Sequence, residues 1–177
     1  MKPRILLTAI LVTIMSINIS AQANNFSFGL VGTRFDNFDN YNKLTEIDNP
    51  MGYGLIVGYK INNDLTVAFT GEYFEDDLSD NLGTETDYRG HLSAFLTPFR
   101  MEKLRPYLSA GFVFTHRNIE YNQTGIDSDK NMIHAKFGVG FDYRLIQNIG
   151  LNFDLGVYSD GLNMDGWSSS FGLRYML

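Results

Sequence analysis

Four groups of residues in this chain carry side chains that could do chemistry. His91 and Ser93 lie two positions apart, so on an extended strand they share a face. An imidazole beside a hydroxyl is the minimum of a nucleophile–base pair for hydrolysis, provided a carboxylate orients it. Asp127-Ser128-Asp129-Lys130-Asn131 begins like a calcium loop. Its sixth position, however, is Met132 where a glycine must make the turn, and its twelfth is Gly138 in place of a bidentate glutamate, which excludes an EF-hand. His91, His116 and His134 lack the spacing of a zinc site. Glu75, Asp76, Asp77 and Asp80 crowd four carboxylates into six residues, enough for a loose divalent-cation site of oxygen ligands. The chain has no cysteine, so thiol catalysis and disulfides are absent. None of these groups amounts to an assigned catalytic, cofactor or metal site, and no cofactor is expected.

The elements that must position these residues are strands. Eight runs alternate in polarity with a period of two, the mark of a strand with two unlike faces. They span 26–35, 51–61, 65–74, 88–97, 107–117, 132–145, 149–158 and 167–177. In the second run Met51, Tyr53, Leu55, Val57, Tyr59 and Ile61 oppose Gly52, Gly54, Ile56, Gly58 and Lys60. In the sixth, Ile133, Ala135, Phe137, Val139, Phe141 and Tyr143 oppose His134, Lys136, Gly138, Gly140, Asp142 and Arg144. The connections alternate between short turns (62–64, 98–106, 146–148) and long loops (36–50, 75–87, 118–131, 159–166). Runs of about ten residues with this connection pattern describe an eight-stranded antiparallel up-and-down transmembrane β-barrel, an all-β fold.

Both ends of the chain agree. Met1-Lys2-Pro3-Arg4 is cationic, Ile5 to Ile19 is largely apolar, and Ala21-Gln22-Ala23 is a small-x-small cleavage site. Residues 1–23 therefore read as a cleaved secretory signal peptide and 24–177 as the barrel domain. The last run, from Trp167, ends on its apolar face at Leu177. Without Lys2 and Arg4, 12 basic residues face 20 acidic ones, which argues against a nucleic-acid partner.

The apolar faces hold too many aromatic rings to fit inside an eight-stranded barrel, whose interior is just wide enough for side chains or one small ligand. They must face lipid. The opposite faces carry glycines, small polar residues and the charges Lys60, Glu72, Arg89, Lys136, Asp142, Arg144, Asp154 and Arg174. Charges held away from water need partners. The expected lumen is a packed ion-pair network, with Glu72 facing Arg89 and Asp154 facing Arg144 or Arg174.

Three segments resemble a known family. Arg105-Pro106-Tyr107-Leu108-Ser109-Ala110-Gly111-Phe112 is similar to the start of the fifth strand of small outer-membrane barrels, and Phe137 to Leu145 to their sixth strand. Gly172-Leu173-Arg174-Tyr175-Met176-Leu177 resembles the C-terminal signal read by the barrel-assembly machinery, carried by Gly172, Tyr175 and Leu177. Leu177 departs from it where an aromatic is usual, and Phe171 where a polar residue is usual. The chain thus resembles the superfamily of OmpX, the opacity proteins and the OmpA transmembrane barrel. The resemblance implies a Gram-negative outer-membrane location. It also implies contact with outer-membrane lipid and lipopolysaccharide, and with the assembly machinery.

The function expected is non-enzymatic, a structural or adhesion-type role with acidic loops toward a host or cell-surface partner and divalent cations. One alternative is a narrow porin for ions or small solutes. Another is a lipid A-modifying hydrolase, since deacylases of this membrane use a His-x-Ser pair; they follow it with Asn, where Ala94 stands here.

Overall fold

The computed structural model describes residues 25–37, 51–77, 83–99, 101–122, 127–161 and 163–177. The signal-peptide reading and Asp80 lie outside the described residues. Eight strands follow in chain order: β1 Phe26–Asn37, β2 Met51–Lys60, β3 Leu65–Asp77, β4 Gly83–Leu96, β5 Leu104–Tyr121, β6 Asp127–Ile146, β7 Ile149–Asp160 and β8 Asn163–Met176. Each pairs antiparallel with the next, and β8 returns to β1, so the sheet closes into a barrel. Closure leaves no sheet edge in the hydrocarbon, where an unpaired backbone group costs several kcal/mol.

The pairing fixes the stagger. A path across the strands from Ser27 passes Gly58, Ala68, Ser93, Gly111, Lys136, Tyr158 and Gly166. It re-enters β1 at Asn37, ten residues above its start. Stagger and strand number together set the width of the interior.

The turns on the rim where β1 begins and β8 ends are tight for local reasons. The Asn62 side chain accepts the N–H groups of Asp64 (2.8 Å) and Leu65 (2.9 Å), holding the β2–β3 turn. The Leu177 N–H donates to the Phe26 carbonyl at 3.0 Å, tying the last residue to the first strand. On the opposite rim, β7 and β8 are joined by 161–162 alone. There Gly161 adopts φ 64°, a left-handed conformation that glycine takes without a Cβ penalty.

The faces divide as the alternation requires. Phe69, Phe112, Phe137 (61% exposed) and Phe171 point outward, whereas Glu72, His91, Val113 (0%) and Ser168 point into the lumen. Aromatic rings gather at both ends of the outward face, at the levels where such girdles meet the membrane interfaces. On one rim Tyr53, Tyr73, Tyr88 and His116 form a row with centroids 5.6, 5.4 and 6.3 Å apart. Near the chain ends Phe26 meets Tyr59 at 4.9 Å.

The long connections are the main correction to the sequence reading. The strands run well into them: β3 continues to Asp77, β4 begins at Gly83, and β5 and β6 reach Tyr121 and Asp127. Three connections shrink to 78–82, 122–126 and 161–162. The reason is physical: above the bilayer the outward face meets water and the inward face carries carboxylates such as Glu85 and Asp87, so hydrophobic alternation disappears although the ladder continues.

The facing assignment sets an energetic expectation. Phe137→Arg near the bilayer midplane should cost about 2–4 kcal/mol in a lipid refolding titration. Nitroxide labels placed at successive positions from 135 to 143 should alternate in access to a lipid-soluble quencher. A uniform profile would overturn the assignment.

Candidate functional site

The lumen is the place where the sequence concentrates charged and polar groups, and the barrel packs them in three layers. Nearest the loop rim, Arg117 and Arg89 converge on Asp87. Arg117 Nε lies 2.9 Å from Asp87 Oδ1 and 2.9 Å from Glu85 Oε1. Arg89 Nη2 donates to Asp87 Oδ2 at 2.8 Å. The Arg89 guanidinium is sandwiched between the rings of Phe35 (4.2 Å) and Phe74 (4.3 Å). This stacking holds the cation while shielding it from water. At the mouth, above the tyrosine row, burial pushes the Glu85 carboxyl above its usual range even with the Arg117 guanidinium beside it.

The middle layer holds two crossing pairs. Glu72 Oε2 faces His91 Nε2 at 2.8 Å, and Thr33 donates its hydroxyl to Glu72 Oε1 at 2.6 Å. Thr33 is itself 2.9 Å from the Ser170 hydroxyl. Lys136 Nζ meets Asp154 Oδ1 at 2.7 Å, while Ser109 donates to Asp154 Oδ2 at 3.2 Å. Tyr158 lies against this layer, its ring edge-on to His91 (6.2 Å) and to Phe35 (5.0 Å).

In the layer toward the turn rim, Arg174 Nη1 is 3.4 Å from Asp142 Oδ1 and sits over the Phe95 ring at 5.3 Å. Asn152 donates to Asp142 (2.9 Å) and to the Tyr107 hydroxyl (2.7 Å), which donates to the Phe153 carbonyl (3.1 Å). Tyr107 fits because Gly140 faces it. A Cβ at Gly140 would stand 2.5 Å from the Tyr107 oxygen and 2.2 Å from the Phe153 carbonyl oxygen.

The eight charges singled out from the sequence are thus placed in two ways. Glu72, Arg89, Lys136, Asp142, Asp154 and Arg174 enter the packed layers. Lys60 closes β2 and Arg144 lies two residues before the end of β6, both toward the turn rim. The partners also differ from those expected. Glu72 and Arg89 are direct cross-strand neighbours, yet Arg89 turns to Asp87 and Glu72 to His91. The two aromatic rings draw the guanidinium toward the mouth, and His91 stands on the diagonal of Glu72. Asp154 takes Lys136, and Arg174 takes Asp142, in place of an Arg–Asp154 pair.

Sequence reasoning missed Asp87, Arg117, Asn152 and Tyr107 as members of the network. A signal existed for Arg117, which stands on the inward parity of β5 with Thr115, opposite Asp87.

The other candidate groups behave differently. His91 (3% exposed) and Ser93 (7%) both face the lumen, away from any lipid, and the His91 imidazole is engaged by Glu72. In the acidic segment, strand alternation leaves Glu75 and Asp77 exposed and Asp76 half-buried. Tyr73 donates its hydroxyl to Glu75, and Thr84 donates to Asp77. Among the described residues, no three acidic or imidazole side chains converge as a metal-binding group. At the C-terminus Gly172 is buried on the lumen side, Tyr175 points outward, and Leu177 caps the β1–β8 seam.

A closed eight-stranded barrel with an apolar exterior and a paired polar interior invites comparison with membrane barrels. The sequence profile of the outer membrane protein beta-barrel domain family matches residues 7–176. The chain belongs to this family. It is an outer-membrane protein. The N-terminal barrel of OprF from Pseudomonas aeruginosa is 21% identical and superposes with a TM-score of 0.59 over 85% of this chain and 97% of that one. Neisserial surface protein A is 17% identical, with a TM-score of 0.63 over 86% and 97%. Ail of Yersinia pestis, in complex with the heparin analogue sucrose octasulfate, is 15% identical, with a TM-score of 0.61 over 86% and 97%. At these identities the likeness establishes the shared barrel. No curated protein matches the chain in sequence.

The middle layer of this outer-membrane barrel predicts an asymmetric mutational response. His91→Leu leaves Glu72 as an uncompensated buried carboxylate and should cost about 3–5 kcal/mol. The double variant His91→Leu with Glu72→Leu should recover most of that loss, because no charge is then stranded. Urea titrations in lipid, read by heat-modifiable gel migration, check both. Equal losses in the single and double variants would show that the pair does not govern lumen stability.

Proposed function

We propose that this barrel is a non-enzymatic, non-conducting anchor that carries acidic strands and loops above the outer membrane for contact with surface partners. The observation that carries this reading is the filled lumen. The guanidinium sandwich, the Glu72–His91 and Lys136–Asp154 pairs and the Arg174–Asp142–Asn152 cluster block it at successive levels. Val113 and Ser168 between them have no exposed surface. A porin needs a continuous aqueous path, and a lipid A hydrolase needs its nucleophile on the lipid side. The packing speaks against the first and the placement of His91 and Ser93 against the second.

The partner's charge follows from the rim. Glu75, Asp77, Glu120, Asp129 and Asp160 are all exposed there. Ail was solved with a sulfated, polyanionic heparin analogue; the rim here would repel such a molecule and favours cationic groups. Divalent cations would bridge the same carboxylates to lipopolysaccharide. The outward aromatic girdles fit against the surrounding lipid, and Gly172, Tyr175 and Leu177 serve the assembly machinery.

Planar-bilayer recordings of the refolded protein test the central point. The expected trace has no discrete conductance steps, and the variant Arg89→Ala with His91→Ala should introduce them. Regular steps from the unmodified protein would overturn the reading in favour of a narrow pore.

A further inference from the structure

On one side of the barrel a cationic, apolar turn stands below a hollow in the outer wall. Outer-membrane barrels face the periplasm with their turn rim, here the rim where β1 begins and β8 ends. Its three connections are 61–64, 97–103 and 147–148, and the one between β4 and β5 is the longest. Phe99 (69%) and Met101 (61%) stand exposed on it, followed by an exposed Lys103. Three backbone bonds fix its course. The Thr97 N–H donates to the Asp64 carbonyl (2.7 Å), the Met101 N–H to the Leu104 carbonyl (3.0 Å), and the Arg144 N–H to the Lys103 carbonyl (2.7 Å). Exposed apolar side chains beside a lysine suit the boundary between hydrocarbon and headgroups, where the lysine stem lies in the apolar layer and its ammonium at the level of the phosphates.

The hollow begins above this turn. Ala94 of β4 and Ala110 of β5 are direct partners, and both face lipid. Leu96 pairs with Leu108 one outward row below them, and Phe137 of β6 stands beside Ala110. The two methyl groups among these larger side chains leave an apolar hollow of about 740 Å³, walled by Leu65, Leu96, Leu108, Phe137 and Val139. That volume falls in the range of about 300–1,000 Å³ that holds small ligands. Its depth matches one leaflet. Leu104 opens β5 six residues before Ala110. Six residues span about 20 Å along a strand, or about 15 Å along the membrane normal at a tilt near 40°. Half of the hydrocarbon core is also about 15 Å. A chain entering from the periplasmic headgroups thus ends in the hollow.

We propose that the hollow and the β4–β5 turn together seat one anionic glycerophospholipid of the periplasmic leaflet, with its phosphate at Lys103 and an acyl chain running past Leu108 into the hollow over Ala94 and Ala110. Charge selects this occupant. Among the described residues, and apart from the Arg174–Asp142 pair, Lys60, Lys103, Arg105 and Arg144 stand toward this rim against Asp64 and Glu102. Basic residues near a bilayer surface draw anionic lipid. The opposite rim carries the exposed carboxylates Glu75, Asp77, Glu120 and Asp129. A lipopolysaccharide chain entering from that side would bring its phosphates against them. A second barrel would fill the hollow without using Lys103. The inference goes beyond the anchor reading and is independent of it, since it concerns the outer wall and not the lumen or the loops.

The test uses the mature barrel refolded in phosphatidylcholine vesicles. The chain has no cysteine, so Val139→Cys at the hollow, or Val57→Cys on β2 across the barrel, carries a single fluorophore. Both positions face lipid. Phosphatidylglycerol and phosphatidylcholine, each brominated near the chain ends, are compared as quenchers at equal mole fraction. At 139 the phosphatidylglycerol should associate about fivefold more strongly, the worth of one lysine near an anionic headgroup. At 57 the two lipids should quench alike. Lys103→Glu should remove the preference and Lys103→Arg should keep it, both with unchanged heat-modifiable migration. Ala110→Leu should lower quenching by both lipids at 139. Equal quenching by the two lipids at 139 would mean ordinary surrounding lipid and would overturn the proposal. So would a preference that survives Lys103→Glu. Quenching at 139 that is lost on adding lipopolysaccharide, or on crowding the barrels, would overturn it too, since the occupant would then be an outer-leaflet chain or a second copy.

Discussion

A polypeptide crossing hydrocarbon must satisfy every backbone N–H and C=O from within, and the rest of this molecule depends on that constraint. Eight strands of alternating sequence meet it only by closing, β8 onto β1. Closure in turn fixes the stagger and the width of the interior. Side chains of one parity are committed to lipid and those of the other to a narrow lumen. The residue choices on each strand answer to those two solvents.

Lumen chemistry follows from that narrowness. A buried charge without a partner costs far more than a surface ion pair contributes, so the inward charges occur in sets. Arg89 is held by Asp87 and by two aromatic faces, Glu72 by His91 and Thr33, and Asp154 by Lys136 and Ser109. Two hydrophobic clusters, Phe35–Phe74–Val113–Tyr158 and Ile56–Ala68–Phe95–Tyr107, pack among the charges, the first against Arg89 and the second against Arg174. The arrangement combines a hydrophobic core with a polar network in one tube. On the proposed reading the consequence is functional: what fills the lumen to stabilise the barrel also closes it.

Above the membrane the constraint relaxes, and the strands behave differently. Water can satisfy an unpaired backbone group, so β6 can outlast its β7 neighbour by eight residues. The same relaxation admits carboxylates on both parities, as at Glu75, Asp76 and Asp77. The part of the protein free to present an edge and a charge pattern is therefore the part that no longer answers to lipid.

Period-two alternation in this chain determined the fold class and the strand count, and the bulk of the aromatic rings on one face, too great for a narrow interior, determined which parity faces lipid. It also placed Glu72, Arg89, Lys136 and Asp154 inside the barrel. It misjudged the strand ends, since hydrophobic alternation vanishes above the bilayer although pairing persists to Asp77, Tyr121 and Asp127. Only the tertiary structure decided the partners. Which carboxylate Arg89 takes depends on Phe74 of the neighbouring β3 and on Phe35, which closure brings across from β1, and Asp142 meets Arg174 across strand β7. Such pairings are set by stagger around the whole barrel, a quantity that no single strand carries.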